Sequence, residues 1–180
     1  DGAQRRVCVF PGHLHVSGAV RVMLSLAEGM AGRGLEVDLF LTRPAGELAY
    51  MIPAGVSVHL GGGGKIASFR ALVRYLRRRR PDALISAHPG VNVMSVMARA
   101  VARVPANVVV TIHNDTSTRP AVRRLRSLAL TWAMRLTYRR AHAIVAVSRG
   151  VALDAARVLR LPPSRVTTIY NPVVTPRVLA

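Results

Sequence analysis

Four of the six histidines in this 180-residue chain stand where a parallel sheet would gather them. His113 follows the apolar run Val108–Ile112, His88 follows Ala83–Ala87, and His13 and His15 follow Val7–Phe10. Short apolar runs of this kind suit strands buried on both faces. Parallel strands share one carboxyl rim, and ligands of open α/β sheets bind there. Imidazole is the side chain that exchanges a proton near neutral pH. The chemistry on offer is substrate binding or proton handling, with His113 the leading candidate. A metal site fits poorly, because no H-x-x-x-H pair and no nearby cysteine supply further ligands.

Other chemistries lack their signatures. Gly12 and Gly18 flank the first loop, but no third glycine completes a dinucleotide fingerprint, and Asp38 lies inside the second strand rather than at its end. Gly61–Gly64 lacks the Lys-Ser/Thr ending of a triphosphate loop and reads as a linker turn. No G-x-S-x-G elbow marks a hydrolase; Ser148 reads as a helix cap. The loop from Pro11 to Val20 still ends at a helix N-terminus, where free N–H groups can meet an anion.

The elements that would position these residues alternate. The first strand is Val7–Phe10, cut off by Pro11-Gly12, and apolar spacing predicts a helix over Val22–Met30 that stops at Gly32 and Gly34. Strands follow at 37–41, 56–60, 83–87, 108–112, 143–147 and 166–170. Helices are expected from Ile66 to the Arg77–Arg80 run, over 93–104, from Pro120 to about Arg140, and from Gly150 to Leu159, with one helical turn at 47–52. His88-Pro89-Gly90 reads as loop. Strand–helix–strand repetition predicts an α/β, Rossmann-like three-layer domain with a mostly parallel sheet. Single Cys8 falls in the first strand as a small core residue, leaves no internal disulfide, and is compatible with a reducing cytoplasm.

Charge is the other unusual feature. Lys and Arg number 26 against eight Asp and Glu, a net +18, so polyanions are attracted. Arg77, Arg78, Arg79 and Arg80 close one helix, and Arg123, Arg124 and Arg126 join Trp132 on a long basic helix with an aliphatic face. Such a helix can lie against an anionic membrane surface. Nucleic-acid binding is not expected: aromatic residues are 4% of the chain, too sparse for a base-stacking platform, and no reader motif is present. No apolar run reaches the ~20 residues that span a bilayer.

Several segments, taken in order, resemble a known family. They are Ser17-Gly18-Ala19-Val20 at the first helix, Gly32-Arg33-Gly34-Leu35-Glu36-Val37 at the second strand, and Arg80-Pro81-Asp82 through His88. Thr111-Ile112-His113, Ala141-His142 through Ser148, and Ile169-Tyr170-Asn171-Pro172-Val173 follow. Together they resemble the N-terminal domain of a GT-B glycosyltransferase, most like glycosyltransferase family 4. Departures are Ser17 for a glycine, Val20 for a glutamate and His142 for an aspartate.

The resemblance implies one half of a GT-B architecture. Residues 1–172 would be the acceptor-side domain and 173–180 the start of an interdomain linker, with a donor-binding C-terminal domain, the chain's first partner, lying outside this chain. It implies a retaining, hexosyltransferase-type enzyme that is inactive as this half alone. The donor would be a UDP- or GDP-sugar, with no tightly bound cofactor and no metal. Gly12, Ser17, Gly18 and Ala19 would face the donor phosphates. His13, His15, His88 and Asn114 would meet a lipid-linked or glycan acceptor, and His113 would be catalytic. A cytoplasmic place, peripheral on the inner face of the membrane, would fit the arginines. Exposed apolar surface on such a half could drive a dimer. Two other readings remain at this point: a stand-alone basic α/β module binding anionic lipid or polyanion, and a nucleotide-binding regulatory domain.

Overall fold

The computed structural model describes residues 5–114 and 124–171, and of 47 and 124–127 the backbone alone. Among the described residues seven strands form one sheet: β1 (Arg6–Gly12), β2 (Glu36–Leu41), β3 (Ser57–Leu60), β4 (Ala83–Ala87), β5 (Asn107–Ile112), β6 (Ala143–Ala146) and β7 (Val166–Thr168). Their spatial order is β3-β2-β1-β4-β5-β6-β7, and every pairing is parallel. The sequence leads to a mostly parallel sheet; among the described strands it is wholly so. The order reverses between β1 and β4, the switch point at which doubly wound sheets open a crevice.

The described residues also form the helices α1 (Gly18–Ala31), α2 (Lys65–Arg79), α3 (Pro89–Ala102), α4 (Arg124–Tyr138) and α5 (Arg149–Leu159). Side-chain alternation along the strands divides the core in two. Val9, Val37, Leu39, Leu41 and Ala87 face α1 and pack with Val20, Met23, Leu24 and Ala27. Cys8, Phe10, Phe40, Leu84, Val108, Val110 and Ile144 point the other way, into a larger core with α2 to α5. Phe10 and Phe40 meet edge to face there, 5.0 Å between centroids. On the α1 side the sheet is covered only in part. Ile85, Val109 and Val145 line an apolar groove of about 510 Å³ beside α1, with His113 and Asn171 also on its wall.

Several boundaries differ from the sequence reading. Pro11-Gly12 does not end β1. The ladder slips between Val9 and Gly12, so Pro11 stands where no donor is needed, and the Gly12 carbonyl accepts from Thr42 N at 2.7 Å. The α3 helix starts at Pro89, not at Val93, because proline is well suited to a first helical position that has no N–H to satisfy. His88 is therefore its N-cap rather than a residue in a loop. The turn at 47–52 is a short 3₁₀ helix over Gly46–Met51.

Candidate active site

Each rim histidine is set by the element that carries it. At the end of β1, Gly12 has φ +98, and a Cβ there would stand 3.1 Å from Val91 Cγ2, so this turn admits only glycine without strain. The chain then delivers His13, exposed, and His15, half-buried, on either side of buried Leu14. Their rings lie 4.8 Å apart, and His15 Nδ1 is 3.2 Å from the His13 carbonyl oxygen. His15 reaches across the switch point to His88, centroid to centroid 5.5 Å. The structure thus brings His13, His15 and His88 into one row.

Ser17 caps α1, its Oγ accepting from Val20 N at 3.3 Å. The N–H groups of Gly18 and Ala19, in the first helical turn, have no acceptor within the helix. A Cβ on Gly18 would meet nothing within 4 Å, so open space lies in front of that turn.

His88 is strained. Four non-glycine residues have positive φ, and Arg80, Arg103 and Arg160 are ordinary left-handed C-caps. His88, at φ 71 and ψ 139, is not. Backbone strain at a ring facing a ligand crevice is a feature that functional sites retain. Its Nε2 is buried without a partner.

His113 lies one strand further along, on the face that carries Val109 and Thr111. Its Nε2 is 2.9 Å from Thr111 Oγ1, and Thr111 Oγ1 donates its only proton to the Ser86 carbonyl at 2.9 Å. A carbonyl can only accept, so Thr111 accepts from His113, and the imidazole proton sits on Nε2. Nδ1 is then a bare lone pair, and it has no partner in the fold. Burial, and then the nearby His88, push the His113 pKa below the ordinary 6.5. His88 is lowered by burial first and by His15 and His13 next. His13 is lowered by burial, His15 and Arg43. With the ring neutral, His113 Nδ1 is a buried acceptor that no group of the fold fills.

A second layer holds this end of β5. Buried Asn92 of α3 donates from Nδ2 to the Thr111 carbonyl and to Tyr138 Oη, both at 2.9 Å. Neither Thr111 nor Asn92 stands out in the sequence as a site residue. The signal for Thr111 was its place two residues before His113, on the same face of a strand. Asn114 is exposed just past His113. Among the described residues no three His, Cys, Asp or Glu side chains stand together as metal ligands.

The arginine run lies at the opposite rim, where α2 ends before β4 begins. Arg77, Arg78 and Arg80 are exposed, and Arg77 Nη2 donates to the Val101 carbonyl at 3.0 Å. Arg79 turns inward to Glu36 at 2.6 Å and to buried Asp38 at 3.4 Å. Trp132 is 56% exposed, with Arg135 5.3 Å over its ring. Arg123 and the side chains of Arg124 and Arg126 lie outside the described residues. Among the described residues no helix is long and apolar enough to cross a membrane.

An all-parallel sheet of this order, with a polar rim at its switch point, defines a Rossmann-like domain of the kind that forms half of a GT-B glycosyltransferase. The chain belongs to Glycosyltransferase Family 4, whose model matches residues 16–177. Solved structures are similar in fold. Anabaena HepE in complex with UDP and glucose superposes with a TM-score of 0.72 at 16% identity, over 97% of this chain and 48% of that one. The lipopolysaccharide outer core galactosyltransferase WaaB, in its apo form, gives 0.68 at 12% identity, over 93% and 46%. Sucrose-phosphate synthase from Thermosynechococcus elongatus gives 0.64 at 13% identity, over 93% and 47%. The chain spans about half the length of these structures. No curated protein sequence matches it.

Proposed function

We propose that this chain is the acceptor-side half of a retaining, hexosyltransferase-type enzyme that moves a sugar from a nucleotide-sugar onto a lipid-linked or glycan acceptor. The observation that carries the proposal is His113: an imidazole on the wall of the groove beside α1, with its proton fixed on Nε2 by Thr111 and its buried Nδ1 left without a partner. A small ring movement that opens Nδ1 to an acceptor hydroxyl would orient that hydroxyl for attack and give its proton somewhere to go as the new glycosidic bond forms. Gly12, Ser17, Gly18 and Ala19 would face the donor phosphates, using the open first turn of α1. His13, His15, His88 and Asn114 would line the acceptor side.

A second domain, beginning after a linker at 173–180, would bind the donor and stabilise the leaving nucleoside diphosphate, so residues 1–172 would be inactive alone. HepE has been seen with UDP, and with UDP-glucose, which is in line with a nucleotide-sugar donor. The exposed Arg77, Arg78 and Arg80, with Trp132, would let the enzyme rest on an anionic inner membrane face without spanning it. The test is a panel of UDP- and GDP-sugars offered to the two-domain protein, with nucleoside diphosphate release as readout. Release from a UDP-sugar that depends on added acceptor is expected. Release from none of the panel would contradict the reading.

A further inference from the structure

A second cavity, of about 350 Å³, lies between α2 and the edge strand β3. It is two strands from β1, roughly 10 Å at the usual strand spacing, and four from β5, and none of the rim histidines lines it. Its floor is aromatic. The His59 ring packs on Tyr75 with centroids 4.8 Å apart, and Tyr75 packs on Phe40 at 5.7 Å. Its wall is cationic. Arg74, Arg78 and Arg79 all line it.

The carboxylates nearby are already taken. Asp38, fully buried behind the floor, accepts from Tyr75 Oη at 2.7 Å and from Arg79 Nε at 3.4 Å. Glu36 is held by Arg79 and Arg6. His59 Nε2 stands 3.3 Å from Asp38 Oδ1, out of hydrogen-bond alignment. Arg79 and Tyr75 are therefore committed within the fold. Arg74 and Arg78 are not: among the described residues neither has a carboxylate at ion-pair distance.

These two arginines stand at i and i+4 on one helix, where like charges repel. Arg70, also exposed, extends the row by another turn. A helix dipole explains cations in the last turn, at Arg77 and Arg78, but not at Arg70 and Arg74 further in. Two guanidinium forks over an apolar floor can each grip one edge of a tetrahedral dianion, which a carboxylate cannot satisfy as well.

We infer that the cleft between α2 and β3 binds a phosphate group, held by Arg74 and Arg78. This goes beyond the transferase reading; it shares Arg78 with the membrane-surface part of that reading, but neither arginine lines the histidine groove, so its failure leaves the sugar-transfer part untouched. The phosphate could be free in solution or the headgroup of an anionic lipid. The chain is isotope-labelled and titrated with inorganic phosphate, following Arg74, Arg78 and His59 signals. In parallel it is sedimented with phosphatidylcholine vesicles, with and without phosphatidylglycerol.

Saturable shifts at those three residues, or sedimentation that needs phosphatidylglycerol, is expected, and the arm that responds names the source. Arg74→Gln with Arg78→Gln should weaken that response at least about tenfold. Arg149→Gln with Arg157→Gln removes the same charge on α5 and should change it less than about twofold. Equal losses in the two double variants, or no response in either arm, would overturn the site. Urea midpoints of both variants, expected to match the parent, guard against a folding artefact.

Discussion

Thr111 decides which nitrogen of His113 is free, and that choice sets the chemistry of the rim. Its hydroxyl has one proton, given to Ser86, so it takes the one on His113 Nε2. Burial then keeps the ring neutral below the ordinary 6.5, as it does for His88. The linkage has a definite sign. An imidazole whose folded pKa is lowered binds fewer protons than its unfolded counterpart, so stability is fully present above about 6.5 and falls as pH drops through the lowered folded values. His15, His13 and Arg43 around the site add to this direction. Urea midpoints should be flat at neutral pH and decline below it, and His113→Gln should shallow the decline. An unchanged slope in the variant would show that this ring does not titrate against burial. At this scale the sequence was partly legible. Strand ends pointed to the four histidines, because parallel strands share a rim. The proton position on His113 was not legible, since it depends on a carbonyl 25 residues from Thr111.

At the scale of the element, α3 does more than cover the sheet. Its Asn92 ties the end of β5 to Tyr138 on α4. Asn92→Ala would leave the Thr111 carbonyl and the Tyr138 hydroxyl buried without that donor, a loss of about 1–3 kcal/mol. Ser17→Ala, which removes only the α1 cap, should lose about 1 kcal/mol. Denaturant midpoints for the two variants check both magnitudes, and an Asn92 effect no larger than the Ser17 one would demote the tie. The order of strands and helices was legible from apolar runs and glycine stops. The start of α3 was hidden because Pro89-Gly90 carries a turn signal as strong as its helix-start signal. The end of β1 was hidden by Pro11, which the ladder accommodates at an irregularity.

Across the whole molecule, one layer is incomplete and the charge is lopsided. Among the described residues α2 to α5 cover one face of the sheet, while α1 and the short 3₁₀ turn cover part of the other and leave the groove that contains Val109, Val145 and His113. The chain also spans about half of the structures it resembles. If the donor is gripped by a second domain, UDP-sugar titrated into these 180 residues should show only weak binding, far short of saturation at millimolar donor. Tight binding to this half alone would favour the nucleotide-binding reading instead. Charge was legible as a sum of +18 but not as a pattern. The sequence groups Arg79 with its neighbours, and only the fold shows it turned in to Glu36 and Asp38 while Arg74 and Arg78 are left over.

The measurement that bears most directly on the account is acceptor-dependent sugar transfer by the two-domain protein carrying His113→Ala. The account predicts that kcat drops well over tenfold, equivalent to more than about 1.4 kcal/mol of transition-state stabilisation, while the denaturation midpoint stays close to that of the parent. Transfer at a near-normal rate would contradict it and remove the rim histidine from the chemistry.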